Sequence, residues 1–344
     1  MPALLAEMLK ARGAHVLKAA KHVEHRVDKD PDAVHDLRVA SRRLKALLDG
    51  LSHRAESDRI DDLSKALKKL RKTCGDARDC EVRCEFLGSL LEKADLKEKP
   101  GLEALLSECV RQRRRAHRKL LQKLPEAREQ IAERLKRLTR TVAEPSGDRP
   151  LHSESLGAVA LAQLPRAADR FWTEIANRGD GPDSWHRMRL ACKRLRYTLE
   201  LYTDGLPNPI GAKLLPALQQ AQKILGEIQD ARTGLEFIAD AVEACEKETE
   251  KGGASPQSLR RKWQPGIAAV RQAYIEQRTA AHRDFDRLWP DLERGEINAI
   301  LRRSLVQVAS EVFRPANGAV HRNGTGGTRS GRSGAKGKAR PRSR

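Results

Sequence analysis

Residues 35–51 read HDLRVASRRLKALLDGL and residues 186–202 read HRMRLACKRLRYTLELY. Aligned without a gap at an offset of 151, they pair His35 with His186, Arg38 with Arg189, Arg42 with Lys193, Arg43 with Arg194 and Lys45 with Arg196. The same offset pairs Gly75 with Gly226 and Asp79 with Asp230, in GDARD and GEIQD, so that 44 residues separate the histidine from the aspartate in both copies. Further on, AHR at 116–118 recurs at 281–283, followed by the steps Leu124-Pro125 and Trp289-Pro290. An insertion around Lys251 to Gln257 accounts for the changed offset. A basic motif written twice in register is the signature of an internal duplication.

The chemistry open to these residues is anion binding. At 100° per residue His35, Arg38, Arg42 and Lys45 fall within an arc of roughly 80°. Leu37, Ala40, Leu44, Leu47, Leu48 and Leu51 take the opposite side, and Met188, Ala191, Leu195, Leu199 and Tyr202 repeat that apolar side in the second copy. Like charges three and four residues apart repel, and only Asp36 and Asp49 lie nearby to offset them. An external anion resolves the repulsion. Arginine's planar fork suits phosphate oxygens, lysine acts as a mobile point charge, and histidine donates one hydrogen bond when neutral. Further cations extend the surface: Lys68, Lys69, Arg71 and Lys72 in the first copy, Lys223 in the second, and the run RQRRRAHRK at 111–119, from which Arg115 is taken as a candidate. The competing readings are a plain solvated face, or one paired with acids of another helix such as Asp79 or Asp230.

Helix formers with apolar residues at three- and four-residue spacing predict an all-α fold, since no alternating Val/Ile/Thr runs argue for strands. Breaks are expected at 28–32, 97–101, 144–150, 177–183, 204–211 and 251–257, with AEPSGDRP the best boundary. This predicts two related four-helix bundles about a pseudo-two-fold axis, within one helical domain over 1–313. Repeat one covers about 1–143, a linker 144–150, and repeat two about 151–313. From about Pro315 the chain is Gly, Ser, Arg and Lys, with eight Lys or Arg after Arg314 and no acid. A disordered basic tail over 315–344 is expected, able to reach polyanions.

With 67 Lys and Arg against 47 acids the net charge is +20, which predicts an acidic partner. Aromatic residues make up only 3%, which disfavours base stacking on single strands. The six cysteines lack the CxxC pairs of a zinc site and are expected reduced and packed. HVEH at 22–25 matches no zinc motif, and neither metal nor cofactor is expected. No stretch approaches a membrane span and the first residues lack an uninterrupted apolar signal core, so a cytoplasmic protein without membrane contact is predicted.

At H-x-x-R-V-A-x-R-R-L-K (His35 to Lys45) and H-x-x-R-L-A-x-K-R-L-R (His186 to Arg196) the chain resembles the CHAD family of helical domains, over about residues 1–313. The resemblance implies two four-helix bundles around a basic groove or pore, binding of inorganic polyphosphate, and association with polyphosphate granules. By position it implies that His35, Arg38, Arg42, Arg43 and Lys45 line one side, and His186, Arg189, Lys193, Arg194 and Arg196 the other. Lys45 and Lys193 depart from the family's commoner arginine and lose its bidentate geometry. The E-x-E-x-K motif of the triphosphate-processing domain that often accompanies the family does not occur. Two rivals remain: a nucleic-acid binder, which the basic tail would also serve, and an enzyme using His35 or His186 on a phosphate chain, for which the repeated helix supplies no supporting carboxylates. Oligomeric state is left open.

Overall fold

The computed structural model describes residues 2–51, 57–143, 156–179, 181–202, 214–250 and 256–293, together with 299, 300, 302, 303, 306 and 310. The expected linker at 144–150, the break at 204–211, most of the insertion at 251–257 and the basic tail lie outside the described residues. Eight helices are described: α1 (Pro2–Arg26), α2 (Ala33–Leu51), α3 (Ser57–Leu91), α4 (Lys99–Ala143), α5 (Leu156–Ala176), α6 (Pro182–Tyr202), α7 (Leu215–Glu250) and α8 (Pro256–Glu293). The described residues include no strand. A Pro-Asp step marks the start of both duplicated helices, just before α2 at Pro31-Asp32 and as the first residues of α6 at Pro182-Asp183; proline's fixed φ and an acid near the first turn suit a helix N-terminus.

In the first copy α1 packs on α2 and α4, α2 on α3, and α3 on α4. In the second, α5, α6, α7 and α8 pack in series, and the rings of Trp172 on α5 and Trp289 on α8 approach to 6.1 Å. The amphipathic reading of α2 holds: Leu37, Leu44, Leu47, Leu48 and Leu51 are buried, each worth roughly 2 kcal/mol. Met188, Ala191, Leu195 and Leu199 are buried in α6; the side chain of Tyr202 lies outside the described residues. Ala40 is only half-buried and Ser41 is buried instead, its hydroxyl donating to the Leu37 carbonyl.

The copies are fused rather than merely facing. One apolar core runs through both, joining Leu37, Leu44, Leu63 and Leu67 to Met188, Leu195, Leu218 and Phe285. A second core joins Leu87, Leu102, Leu105 and Cys109 to Phe237, Ile238, Val270 and Tyr274. Helix length explains it. The α2 helix has 19 residues and α3 has 35, about 28 Å against about 52 Å at 1.5 Å per residue. The far ends of the α3–α4 and α7–α8 hairpins outrun the short helices and bury their apolar faces on each other.

The crossing of α4 and α8 is reciprocal, as a two-fold relation requires. A Cβ at Gly101 would lie 2.2 Å from the Trp263 carbonyl oxygen, and one at Gly266 would lie 2.1 Å from the Glu98 carbonyl oxygen. Pro100-Gly101 and Pro265-Gly266 share the 165-residue offset of the AHR repeat. Both clashes are with backbone, which cannot swing aside. Gly101→Val is therefore expected to cost about 3 kcal/mol in urea unfolding, whereas Gly88→Ala, where a Cβ meets nothing within 4 Å, is expected to be neutral or slightly stabilising.

Candidate polyanion site

The short helices α2 and α6 pack against one another where α3 and α7 flank them, and a cavity of about 720 Å³ opens there. Arg38 and Arg42 enter from α2; Lys65, Lys68, Lys69, Arg71, Lys72, Gly75 and Asp79 from α3; His186, Arg189, Leu190 and Lys193 from α6; Gln229, Asp230 and Thr233 from α7. Nine Lys or Arg side chains thus face two carboxylates. A second chamber of about 430 Å³ continues from it, sharing Arg42, Arg71, Leu190 and Lys193 and adding Lys45, Asp49, Gln163, Arg166, Arg194 and Tyr197.

The two basic ridges converge, and their crowding is visible in their protonation. Lys193 is pushed down to about 6, first by burial, then by Arg189, Arg42 and Arg38, against a smaller pull from Asp230. Burial also lowers Arg42, with Arg38, Arg71 and Arg189 repelling it. Arg189 is lowered by burial despite Asp230 and Asp79, and its Nε is a buried donor with no hydrogen-bond partner among the described residues. Asp230 is raised, by burial and by Asp79, more than Arg189 lowers it. Cations from both copies are held closer together, and drier, than their own carboxylates compensate.

Local partners aim the first ridge. Arg38 Nη1 donates to the Cys74 carbonyl at 3.3 Å and lies 3.8 Å from Asp79. It crosses α3 over Gly75, where a Cβ would sit 3.3 Å from Nη1. At the equivalent Gly226 nothing lies within 4 Å. The flanking walls differ too. The α3 stretch KALKKLRK corresponds to PALQQAQK on α7, so the positions of Lys68, Lys69 and Arg71 carry glutamines in the second copy.

Of the residues singled out from sequence, Arg38, Arg42, Lys68, Lys72, His186, Arg189 and Lys193 line the main cavity, and Lys45 and Arg194 line the second chamber. Lys45 is ion-paired with Asp49. His35, Arg43, Arg196, Arg115 and Lys223 line neither. His35 is solvent-exposed, and its pKa is lowered by partial desolvation of the ring and then by Arg78 and Arg42. In the second copy Gln229 replaces Arg78 and bonds His186 Nδ1 at 3.1 Å, so that only the second histidine joins the cavity. Arg43 reaches Glu200 at 3.8 Å, and Arg196 donates to the same carboxylate at 2.7 Å; one residue beyond Arg42 is 100° around the helix. Arg115 and Lys223 are exposed. Sequence reasoning missed Lys65 and Arg166 altogether. It noted Lys69 and Arg71 without choosing them, although Lys65, Lys68, Lys69 and Lys72 keep the i, i+3, i+4, i+7 spacing of one helix face.

A family model described as the CHAD domain matches residues 8–239. The chain belongs to the CHAD family. Polyphosphate binding is a known feature of CHAD proteins. The described fold is shared with the CHAD domain of the plant Ricinus communis, which is 20% identical, with 89% of this chain and 91% of that one covered at a TM-score of 0.59. It is shared also with PptA from Streptomyces chartreusis, 19% identical, with 84% and 99% covered at a TM-score of 0.61. No curated protein matches the chain. The family match begins in α1 and ends in α7, and so contains every residue that lines the main cavity.

The six cysteines carry free thiols. Among the described residues no cluster of His, Cys, Asp and Glu is placed to hold a metal ion, and no helix is long and apolar enough to cross a membrane.

Proposed function

We propose that this chain binds inorganic polyphosphate in the cavity between α2, α3, α6 and α7, as a binding protein that leaves the polymer intact. The observation that carries the reading is the convergence of nine Lys or Arg side chains from both copies on two carboxylates in one cavity. Bringing a polyanion there converts mutual repulsion into many charge-assisted contacts, and the guanidinium forks of Arg38, Arg42, Arg71 and Arg189 suit phosphate oxygens. The second chamber lets the polymer run on past Lys193 toward Arg166 and Arg194. Association with polyphosphate granules follows from such binding.

Two features weigh against nucleic acid. The cavity is a cleft between helices, whereas duplex recognition spreads over a surface of about 1,000 Å² or more. Tyr197, the aromatic residue of the second chamber, is only 8% exposed and already has Arg42 and Arg196 over its ring at 5.6 and 5.3 Å, so it offers bases little stacking surface. Against catalysis, His186 is bonded to an amide and the cavity's Asp79 faces Arg38, so neither forms the carboxylate-supported base that phosphate-chain cleavage needs. The test is competition at about 150 mM salt between polyphosphate and single-stranded DNA of equal phosphate count, on the full chain and on a chain ending at Arg314. Polyphosphate is expected to displace the DNA from both at well below equimolar phosphate, with its length unchanged on gels after incubation. Preference of the shortened chain for DNA would overturn the assignment.

A further inference from the structure

Three thiols meet between α3 and α4, and none of them lines the polyanion cavity. Cys80 and Cys84 stand one turn apart on α3, and Cys109 faces them from α4; they are 6%, 7% and 0% exposed. The sulfurs of Cys84 and Cys109 lie 3.0 Å apart, about 1 Å more than a disulfide bond. Cys109 Sγ also donates to the Cys80 carbonyl at 3.5 Å, which holds it toward α3.

The duplication shows what this place needs for packing alone. At the offsets of 151 and 165, Cys80, Cys84 and Cys109 correspond to Ala231, Leu235 and Tyr274, and Arg83 corresponds to Gly234. In the second copy the Tyr274 ring lies over Gly234, where a Cβ would come within 2.2 Å of it. In the first copy the small Cys109 leaves that room to Arg83. Its Nη2 donates to Cys80 Sγ at 3.4 Å, and its guanidinium lies 4.8 Å from the Phe237 ring centre. One copy thus fills its core with carbon side chains, whereas the other sets two thiols in contact beside a cation.

The neighbouring charges divide the labour between the two sulfurs. The hydrogen bond shared with Cys109 draws the Cys84 thiol below its ordinary pKa, outweighing burial, and Arg113, Arg83 and His117 add to it. Cys109 is pushed up by the same bond and by burial. Cys84 is therefore the better nucleophile and Cys109 the partner that keeps its proton. Cys84 is also the one of the pair that solvent reaches. Cys74 and Cys192 are ordinary buried thiols by comparison, each pushed up to about 12 by desolvation.

We infer that Cys84 and Cys109 form a peroxide-sensitive dithiol that closes reversibly to a disulfide joining α3 to α4. The Cys84 thiolate attacks the terminal oxygen of a hydroperoxide: an S–O bond forms, the O–O bond breaks, and the departing alkoxide or hydroxide takes up the proton that Cys84 released. Cys109 then attacks the Cys84 sulfur of this sulfenic acid. The S–S bond forms, the S–O bond breaks, and hydroxide leaves with the Cys109 proton as water. Both sulfurs are oxidised, the peroxide is reduced, and a dithiol reductant restores the thiols. The inference is independent of the polyphosphate reading.

The test treats the reduced full chain with a small excess of hydrogen peroxide, blocks remaining thiols under denaturing conditions, and maps the peptides by mass spectrometry without reductant. The native chain is expected to lose two of its six free thiols and to yield a peptide pair linked through Cys84 and Cys109, both reversed by dithiothreitol, while Cys74 and Cys192 stay reduced. Cys80→Ser is expected to leave the link intact. In the Cys109→Ser chain dimedone is expected to label Cys84, because the sulfenic acid has lost the thiol that resolves it; in the Cys84→Ser chain Cys109 is expected to stay unlabelled. The map of the unaltered chain decides the matter even if a variant unfolds. No link in the native chain, a link between any other pair, a link formed only after denaturation, or dimedone on Cys109 instead of Cys84 would overturn the inference.

Discussion

Replacing Arg42 and Arg189 together by alanine is expected to weaken polyphosphate binding about hundredfold at physiological salt while leaving the melting temperature unchanged or raised. Each guanidinium forms charge-assisted contacts that contribute about 1.5–3 kcal/mol when a partner is present, so about tenfold per residue is a conservative figure. Their loss also removes counterion release, and the dependence of log affinity on log salt should flatten. Stability should respond in the opposite sense. Both arginines have pKa values lowered by burial and by neighbouring cations, which means that folding holds them charged at a cost. Asp230 loses its main attractive partner in the double variant, but its pKa is already raised, so it can take up a proton. Arg38 is the poorer choice, because its bond to the Cys74 carbonyl and its approach to Asp79 are structural. Calorimetric titration at several salt concentrations, paired with thermal melts, checks both halves. A collapsed melting temperature would make these arginines structural pairs instead of a ligand surface.

The second large effect is a proton taken up on binding. Lys193 lies at about 6 in the free chain, so it is mostly neutral at pH 7. A polyanion among Arg38, Arg42, Arg189 and Lys193 favours the ammonium form, and the bound value moves up toward that of an ordinary lysine. Ligand binding then requires about one proton, and linkage makes affinity rise about tenfold per unit as pH falls from 8 toward 6. Below about 6 Lys193 is already charged and its dependence disappears. The other titratable groups lining the two chambers beside it are Asp79, Asp230 and His186 in the first and Asp49 and Tyr197 in the second. Asp230, whose pKa is raised, takes up a proton at lower pH in the same direction. Lys193→Arg isolates the lysine, because a guanidinium stays charged throughout. Titration in buffers of different ionisation enthalpy should show about one proton fewer taken up by the Lys193→Arg chain at pH 7, and a flatter pH profile. Equal proton uptake in both chains would show that Lys193 is not where the polymer's charge is felt.

Two asymmetries bear on how the polymer is held. The α3 wall is lysine-rich whereas its α7 counterpart is glutamine-rich, so a polyphosphate chain bound as proposed would meet most of its flexible point charges on one side. Lys65, Lys68, Lys69 and Lys72 are suited to capturing a moving anion, and the buried arginines to fixing it. One copy supplies the lysine wall and the other the histidine.

What the amino-acid sequence determined by itself was periodic. Helical spacing put Arg38, Arg42, Arg189 and Lys193 opposite the leucine stripes, and a gapless offset showed that both stripes occur twice. Those facts are local, because a helix's faces depend on 3.6 residues per turn and little else. What only the tertiary structure decided was which part of each face looks inward. Arg43 and Arg196 belong to the same motif as the lining residues, yet both turn to Glu200. His35 and His186 are equivalent by offset, yet the exchange of Arg78 for Gln229 on the neighbouring helix brings only the second into the cavity. Arg166 could be found only once α5 was placed beside α2 and α6. Helix crossing, set by the reciprocal approach of Gly101 and Gly266 and by the second core between the long hairpins, turns two amphipathic stripes into one cavity. Contacts between residues more than a hundred positions apart have no period to read, and they decide which charges meet.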